Sequence, residues 1–386
     1  MTKIYLDYAA TTPVDPAVAR AMQPYFGGQF GNPGSLHSFG QEAIAAVDRA
    51  RETIARAFGA GFRQIAFTGS ATEANNLALR GVARKFRGTG HEGRKKTRII
   101  ISAIEHESVL ETANDLERDG IEVVRVPVDA RGMVDIKKIK ESLTADTALV
   151  SVIYAQNEIG TIQPIREIAD AVKGFDGGIL VHTDAAQALQ FLACEPAKLG
   201  VDLMTVSSHK IYGPKGAGAL YVRDPGLLAP LMTGGGQEFG LRSGTENVPA
   251  IVGFAKAVEL AAAAREKESA RLGALRDRLW KGIKEAVPEA EINGPAAPEE
   301  KLPNILNVYF PGHAAQDLLT RLDLAGLAAS AGSACRSRAH GASYVLESLG
   351  YSRERAGASI RMSAGRMTTE EEIDAAVKLF QKTFVL

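Results

Sequence analysis

Between residues 62 and 223, short apolar runs alternate with longer stretches in which apolar residues recur every three or four positions. The runs at 64–68, 98–102, 121–126, 148–154, 178–182, 202–206 and 219–222 are rich in Ile, Val and Leu and predict seven strands. Helical patterns fill most of the gaps. They include 107–118 and 164–173, the latter opened by Pro164, where a first-turn proline fits. Strands and helices in alternation predict an α/β fold, a mainly parallel seven-stranded sheet with helices on both faces. In such sheets ligands sit beyond the carboxyl ends of the strands, so chemistry is sought just after each strand.

After residue 250 the texture changes. A long Ala/Glu/Arg-rich helix is predicted from 252 to about 285, followed by a smaller α+β unit with strands at 304–310 and 359–363. The expected division is a large domain at 16–260 and a small domain built from 1–15 and 261–386. A chain of 386 residues, against a prior of ~150 per domain, agrees with two units.

The 45 basic and 45 acidic residues cancel, which gives no case for direct nucleic-acid binding or for an anionic membrane surface. The one basic stretch, 80–98, reads as a solvated helix end and loop. No segment approaches 18 uninterrupted apolar residues, and the first residues lack an apolar run behind a basic start. Neither a membrane span nor a signal peptide is expected, and a cytoplasmic protein is. Two cysteines, Cys194 and Cys335, exclude a disulfide framework. Cys194, in Phe191-Leu-Ala-Cys194, reads as a small hydrophobe.

Three strand ends carry candidate chemistry. After Phe67 comes Thr68-Gly-Ser-Ala-Thr-Glu73, where Ser70 and Glu73 have capping-box spacing; a helix starting there offers backbone N–H groups and hydroxyls to a phosphate, or is simply well capped. Asp184 closes an apolar strand and needs a partner, either a protonated pyridine nitrogen or the next helix N-terminus. Ser207-Ser-His-Lys210 ends another strand, and both Lys210 and Lys215 are of the type that forms imines with aldehydes. A phosphate cradle, an acid for a pyridinium and an imine-forming lysine, in this order, match the protein side of a pyridoxal 5'-phosphate (PLP) site.

With these segments in hand, the chain resembles the cysteine desulfurases of the NifS/IscS type, within the class V aminotransferase group of PLP enzymes. The resemblance runs nearly end to end. It rests on Tyr5-Leu-Asp-Tyr-Ala-Ala-Thr-Thr-Pro13, Gly31-Asn-Pro-Gly-Ser-Leu-His37, Ala71-Thr-Glu-Ala-Asn-Asn76, Glu105-His106, Asn157-Glu-Ile-Gly160, His182-Thr-Asp184, Ser207-Ser-His-Lys210, Arg242-Ser-Gly-Thr-Glu-Asn247, Gly332-Ser-Ala-Cys335 and Ser359-Ile-Arg-Met-Ser363. It implies an aspartate aminotransferase-like fold (fold type I) and PLP bound as an imine on Lys210. It also implies that Asp184 faces the ring nitrogen, His106 stacks on the ring and Gln187 meets the phenolic oxygen. Ala71, Thr72, Ser207 and His209 would surround the phosphate, joined by Thr245 from the other subunit of a homodimer. Asn157 and Arg361 would hold the substrate carboxylate, a task that suits the planar guanidinium fork.

In that resemblance L-cysteine is the substrate, and Cys335 accepts its sulfur as a persulfide while alanine leaves. Lys210 moves the α-proton. Arg336 and Arg338, beside Cys335, would favour the thiolate. No intrinsic metal is expected; Cys335 is a candidate ligand for transient cluster or sulfur hand-off to an iron-sulfur scaffold or other sulfur-acceptor protein, in support of iron-sulfur cluster assembly or tRNA thiolation.

Departures from the family pattern are the Gly69-Ser70 order in the phosphate turn, Phe239 and Arg336. The chain also ends about 20 residues after Arg366, without the longer tail that docks a scaffold in housekeeping members. Competing readings are selenocysteine lyase, an aminotransferase, which has no use for a sulfur acceptor, and a non-catalytic sulfur carrier that kept the fold.

Overall fold

The computed structural model describes residues 3–88, 96–332 and 342–384. Among these the strands, in chain order, are β1 (Ile4–Tyr5), β2 (Ile65–Thr68), β3 (Arg98–Ser102), β4 (Glu122–Val126), β5 (Thr147–Ser151), β6 (Leu180–Asp184), β7 (Leu203–Ser207), β8 (Gly218–Val222), β9 (Glu291–Ile292), β10 (Ile305–Tyr309), β11 (Leu327–Ala328) and β12 (Ser359–Ser363). The seven predicted strands, β2 to β8, form one sheet in the order β2-β8-β7-β6-β5-β3-β4. Only β8 runs against its neighbours. The six others therefore end on one edge, and every predicted strand-end motif faces that edge.

Period-two side-chain alternation divides the sheet between two cores. Ile65, Phe67, Ile100, Val150, Val181, Met204 and Tyr221 pack on one face. Ala66, Ile99, Ile101, Leu149, Leu180, Leu203 and Leu220 pack on the other. Helices Ala71–Gly88 and Glu107–Arg118 cover the second face with Leu77, Val82, Phe86, Val109 and Leu116. Helices Ser38–Phe58, Ile165–Phe175 and Val248–Ala286 cover the first. The helix Val248–Ala286 starts four residues before the predicted position, since Asn247 caps it by accepting from Ala250 N.

A second, antiparallel sheet has the order β12-β10-β9, and β1 pairs in parallel with β11. Leu6 N donates to Ala328 O and Tyr8 N to Ser363 O, so the first residues lie along the C-terminal part of the chain. Among the described residues no helix is long and apolar enough to cross a membrane. Part of the basic stretch is paired internally, Arg80 with Asp115 (2.6 Å), Lys96 with Asp176 (3.0 Å) and Arg98 with Glu122 (2.6 Å), while Arg84, Lys85 and Arg87 are exposed.

Strand β5 stops at Ser151, short of the predicted Tyr154, because the chain there leaves β3 while staying on β6: Val152 N donates to His182 O and Tyr154 N to Asp184 O. Glu105 occupies the opening. Its Oε1 accepts from Ser102 Oγ at the end of β3 (2.5 Å) and from Ile153 N (2.7 Å), with the residue fully buried. Burial, the largest cause, raises its pKa to about 8, well above the ordinary 4.5.

The native state therefore holds a proton that the unfolded chain has released, between about pH 4.5 and 8. That contribution to stability is complete below the lower value and is lost as pH rises through the upper one. In Glu105→Gln the loss of stability with rising pH between about 4.5 and 8 should become shallower, by up to about 1.4 kcal/mol per pH unit. An unchanged slope would count against a protonated Glu105.

Candidate active site

The turn after β2 is fixed by two local bonds and one long-range one. Ser70 Oγ accepts from Glu73 N (3.1 Å), and Glu73 Oε2 accepts from Gly69 N (2.7 Å). The return bond of a capping box thus reaches one residue further back than the Ser70 N–H that the spacing predicted. Glu73 Oε1 also takes Arg242 Nε at 2.8 Å. A Cβ on Gly218, in β8, would lie 2.8 Å from the Ser70 carbonyl carbon, so the close seating of this turn on the sheet needs a glycine there.

Asp184 is 4% exposed at the end of β6. Its Oδ1 accepts from Ala186 N (2.9 Å), as a turn cap would, and Oδ2 accepts from Asn75 Nδ2 (2.7 Å), and the residue lines the cleft. His106 caps the helix Glu107–Arg118 through Nδ1, which accepts from Ser108 N (3.1 Å). Burial lowers its pKa, opposed by the Asp184 charge, so the ring is neutral at physiological pH.

Lys210 follows β7 on a short turn. Its Nζ donates to Ala9 O (2.6 Å) and Ala10 O (2.8 Å). Gln187 Nε2 donates to the same Ala9 carbonyl at 2.8 Å. The N-terminal segment also braces the turn: Thr12 N and Oγ1 both donate to His209 O, and Thr12 Oγ1 accepts from Tyr212 N. Tyr212 needs this support, since it sits at φ 67°, in the left-handed region that ordinary side chains avoid at a cost of about 1–3 kcal/mol. Burial first, then the Lys210 and Lys215 charges, lower the His209 pKa to about 4, so His209 is neutral as well.

Arg361, on β12, is 1% exposed. Nη1 donates to Asn157 O (2.9 Å) and Nη2 to Asp7 Oδ1 (2.7 Å), whereas Nε is buried without a partner. Ser207 Oγ is a second buried polar atom in the cleft wall with no partner among the described residues.

These residues line one cleft of about 180 Å³. Ala71, Thr72, His106, Asn157, Asp184, Gln187, Ser207, His209, Lys210 and Arg361, all expected from the sequence, border it. Lys210 and Lys215, equivalent by type, are separated here: Lys215 is exposed and borders a different depression with Tyr5 and Pro13. Thr245 is exposed and does not line its own chain's cleft. Cys335, with Arg336, Arg338 and His340, lies outside the described residues, but the flanking positions meet at one side chain. Ser343 Oγ donates to Glu158 Oε2 (2.6 Å), and a Cβ on Gly332 would lie 3.2 Å from that same oxygen, next to Asn157. Cys194 is in the core, its thiol pushed up to about 12 by burial, as a small hydrophobe would be. Phe239 packs between the guanidinium groups of Arg51 (4.9 Å) and Arg63 (5.3 Å).

Sequence reasoning missed Ala9, Ala10, Ile153 and Ala186 in the cleft wall, and Asp7 and Asn75 behind it, whereas Ser70 lines the cleft from the predicted turn. Ala9 and Ala10 act through backbone carbonyls, which no side-chain pattern reports. The donor set fits PLP. An unsatisfied buried hydroxyl (Ser207) beside a helix start suits a phosphate, Asp184 suits a pyridine nitrogen, Lys210 suits an aldehyde, and the unpartnered Arg361 Nε suits a carboxylate. Among the described residues no group of three or more His, Cys, Asp or Glu could hold a metal ion.

The class-V aminotransferase family model matches residues 4–376. Among curated relatives, the cysteine desulfurase IscS 1 of Archaeoglobus fulgidus is 44% identical, over 97% of this chain and 95% of its own. The cysteine desulfurase IscS of Klebsiella pneumoniae is 46% identical, over 98% of this chain and 92% of its own. Among solved structures, a NifS-like protein superposes with a TM-score of 0.92 at 38% identity, covering all of both chains. SspA, solved in complex with cysteine, superposes with a TM-score of 0.81 at 36% identity, over 93% of this chain and 98% of its own. With its strand-end residues gathered in one cleft, and matched nearly end to end by these relatives, the chain belongs to the class-V aminotransferase family and within it to the cysteine desulfurases of the NifS/IscS type.

Proposed function

We propose that this chain is a PLP-dependent cysteine desulfurase that converts L-cysteine to L-alanine and holds the released sulfur as a persulfide on Cys335. The observation that carries the reading is the cleft itself: an amine, a buried carboxylate, a neutral histidine and an arginine with an unpartnered buried donor converge at the ends of parallel strands. Bound there, PLP supplies an electron sink for the carbanion that forms at the substrate α-carbon.

The chain's own residues do the rest. Asp184 holds the ring nitrogen, and Ser207 with the turn at Ala71 and Thr72 takes the phosphate. Arg361, which shares the cleft wall with Asn157, binds the substrate carboxylate through Nε and so fixes the α-carbon relative to Lys210, whose amine takes the α-proton. The Cys335 thiolate attacks the substrate sulfur. A sulfur–sulfur bond forms, the carbon–sulfur bond breaks with its electron pair passing to the alanyl carbon, and protonation there gives alanine. Cys335 is three residues from Gly332, roughly 10 Å of chain reach.

Three wider assignments belong to the same reading. Residues 16–260 form the cofactor-binding domain, and 1–15 with 261–386 the smaller one. In a homodimer the exposed Thr245 completes the phosphate site of the partner subunit. The sulfur passes to a scaffold or other acceptor protein in the cytoplasm, for iron-sulfur clusters or tRNA thiolation.

Purified protein should show the visible absorbance of lysine-bound PLP and release equal alanine and sulfide from L-cysteine with a reductant. Cys335→Ala should keep the absorbance and lose at least 100-fold of the sulfide release, because Cys194, the other cysteine, is buried in the core and does not line the cleft. A yellow but inert parent that turns over selenocysteine would replace this reading with selenocysteine lyase, and a colourless one would favour the non-catalytic carrier.

Arg361→Lys replaces a planar fork by a single point charge. The KM for L-cysteine should rise about 10- to 100-fold, as expected for a lost hydrogen bond between charged groups. An unchanged KM would remove Arg361 from the carboxylate site.

A further inference from the structure

Asn75 is fully buried in the helix Ala71–Gly88 and does not line the cleft. Both hydrogens of its one amide nitrogen are engaged. Nδ2 lies 2.7 Å from Asp184 Oδ2 and 2.8 Å from Ser108 Oγ. That Ser108 hydroxyl is in turn 2.8 Å from His106 Nδ1. An unbroken chain of hydrogen bonds therefore joins Asp184 to His106 through a side chain that touches neither cofactor nor substrate.

The polarity of this chain is fixed from one end. A carboxylate oxygen can only accept, so the amide must turn its nitrogen to Asp184. With the second hydrogen of Nδ2 given to Ser108 Oγ, the serine oxygen accepts there and its own hydrogen is left to donate to His106 Nδ1. Ser108 N donates to the same Nδ1 at 3.1 Å. A ring nitrogen that accepts cannot carry a proton, so neutral His106 has its hydrogen on Nε2. The arrangement is kept at an energetic cost. Asn75 Oδ1 is left buried without a partner among the described residues, which costs about 1–3 kcal/mol.

We infer that Asn75 is a positioning residue that orients the Asp184 carboxylate and, through the Ser108 hydroxyl, the ring of His106 with the same amide nitrogen, while Ser108 N by itself keeps Nδ1 an acceptor. The inference rests on the cofactor-site reading of Asp184 and His106 and adds what couples them. A ring clamped between these two groups has its nitrogen and its face addressed by one rigid unit, so a displacement on one side is felt on the other.

The test uses full-length protein carrying ¹⁵N-labelled histidine, with and without PLP labelled at the ring nitrogen. Asn75→Leu removes both bonds at similar volume, Asn75→Ala does so without an apolar wedge, and Ser108→Ala cuts only the histidine arm. In the Asn75 variants the PLP ring-nitrogen shift should move toward that of an unprotonated pyridine, the His106 ring-nitrogen shifts should move while keeping the Nε2–H signature that Ser108 N enforces, and PLP affinity should fall at least 10-fold. Ser108→Ala should move the His106 shifts and leave the PLP nitrogen where it is. Folded Asn75 variants with parental shifts at either group would overturn the coupling. If the Asn75 variants do not fold, Ser108→Ala still decides: parental His106 shifts sink the inference, and shifts moved without change at the PLP nitrogen uphold it. A parent that fails to bind PLP would sink the functional reading instead, while the histidine shifts, read without cofactor, still decide that arm.

Discussion

A carboxylate in a protein interior has to be surrounded by donors, and much of this structure is arranged around that requirement at Asp184. The parallel strands bring it to the sheet edge 4% exposed, where an unpartnered charge would be far more costly than any single packing defect. Two donors come from the protein, the Ala186 backbone and the Asn75 amide. Because the second belongs to the helix that opens at Ala71, the turn before that helix and Asp184, the proposed phosphate and ring-nitrogen partners, are placed by the same element. The turn is fixed in its own right by the Ser70, Glu73 and Gly69 bonds and by the glycine at 218 that lets it sit against β8.

Lys210 is held by different means. Its turn would not keep a tyrosine at φ 67° unaided, and the residues that stabilise it come from the far N-terminus: Thr12 on His209 and Tyr212, Ala9 and Ala10 on the lysine amine. That segment is itself tied to the C-terminal part of the chain through β11 and β12. Asp7 completes the connection by taking Arg361 Nη2, so the proposed carboxylate-binding arginine and the lysine are positioned by neighbouring stretches of one strand and turn. Lysine chemistry and substrate anchoring thereby depend on residues more than 300 positions apart.

The strand ends were legible from sequence because β-branched runs and the polar residues that stop them are local signals. Arg98–Ser102, Glu107–Arg118 and Ser359–Ser363 match their predicted bounds, and Lys210, Asp184 and Arg361 fall where the motifs put them. What was not legible depends on tertiary approach. The choice between Lys210 and Lys215 is made by which faces the cleft, the shortened β5 by a carboxyl group from after β3, and the anchoring of Lys210 by carbonyls of two alanines. Phe239, a departure from the family pattern, makes sense only with Arg51 and Arg63 packed around it.

The zero net charge of the chain conceals a strongly organised local field. Three histidines near the sheet edge, His106, His182 and His209, have their pKa values lowered by burial, the last two to about 4, so none competes with Lys210 or Arg361 as a cation. Glu105, raised to about 8, adds no full negative charge beside Asp184. These four neighbours are thus neutral, whereas Arg361 is already paired with Asp7 through Nη2, so on the proposed reading its unpartnered Nε is what a substrate carboxylate meets. A cofactor held as proposed, which must shift electrons between its two ends, gains from fixed neighbours that add no competing charge of their own.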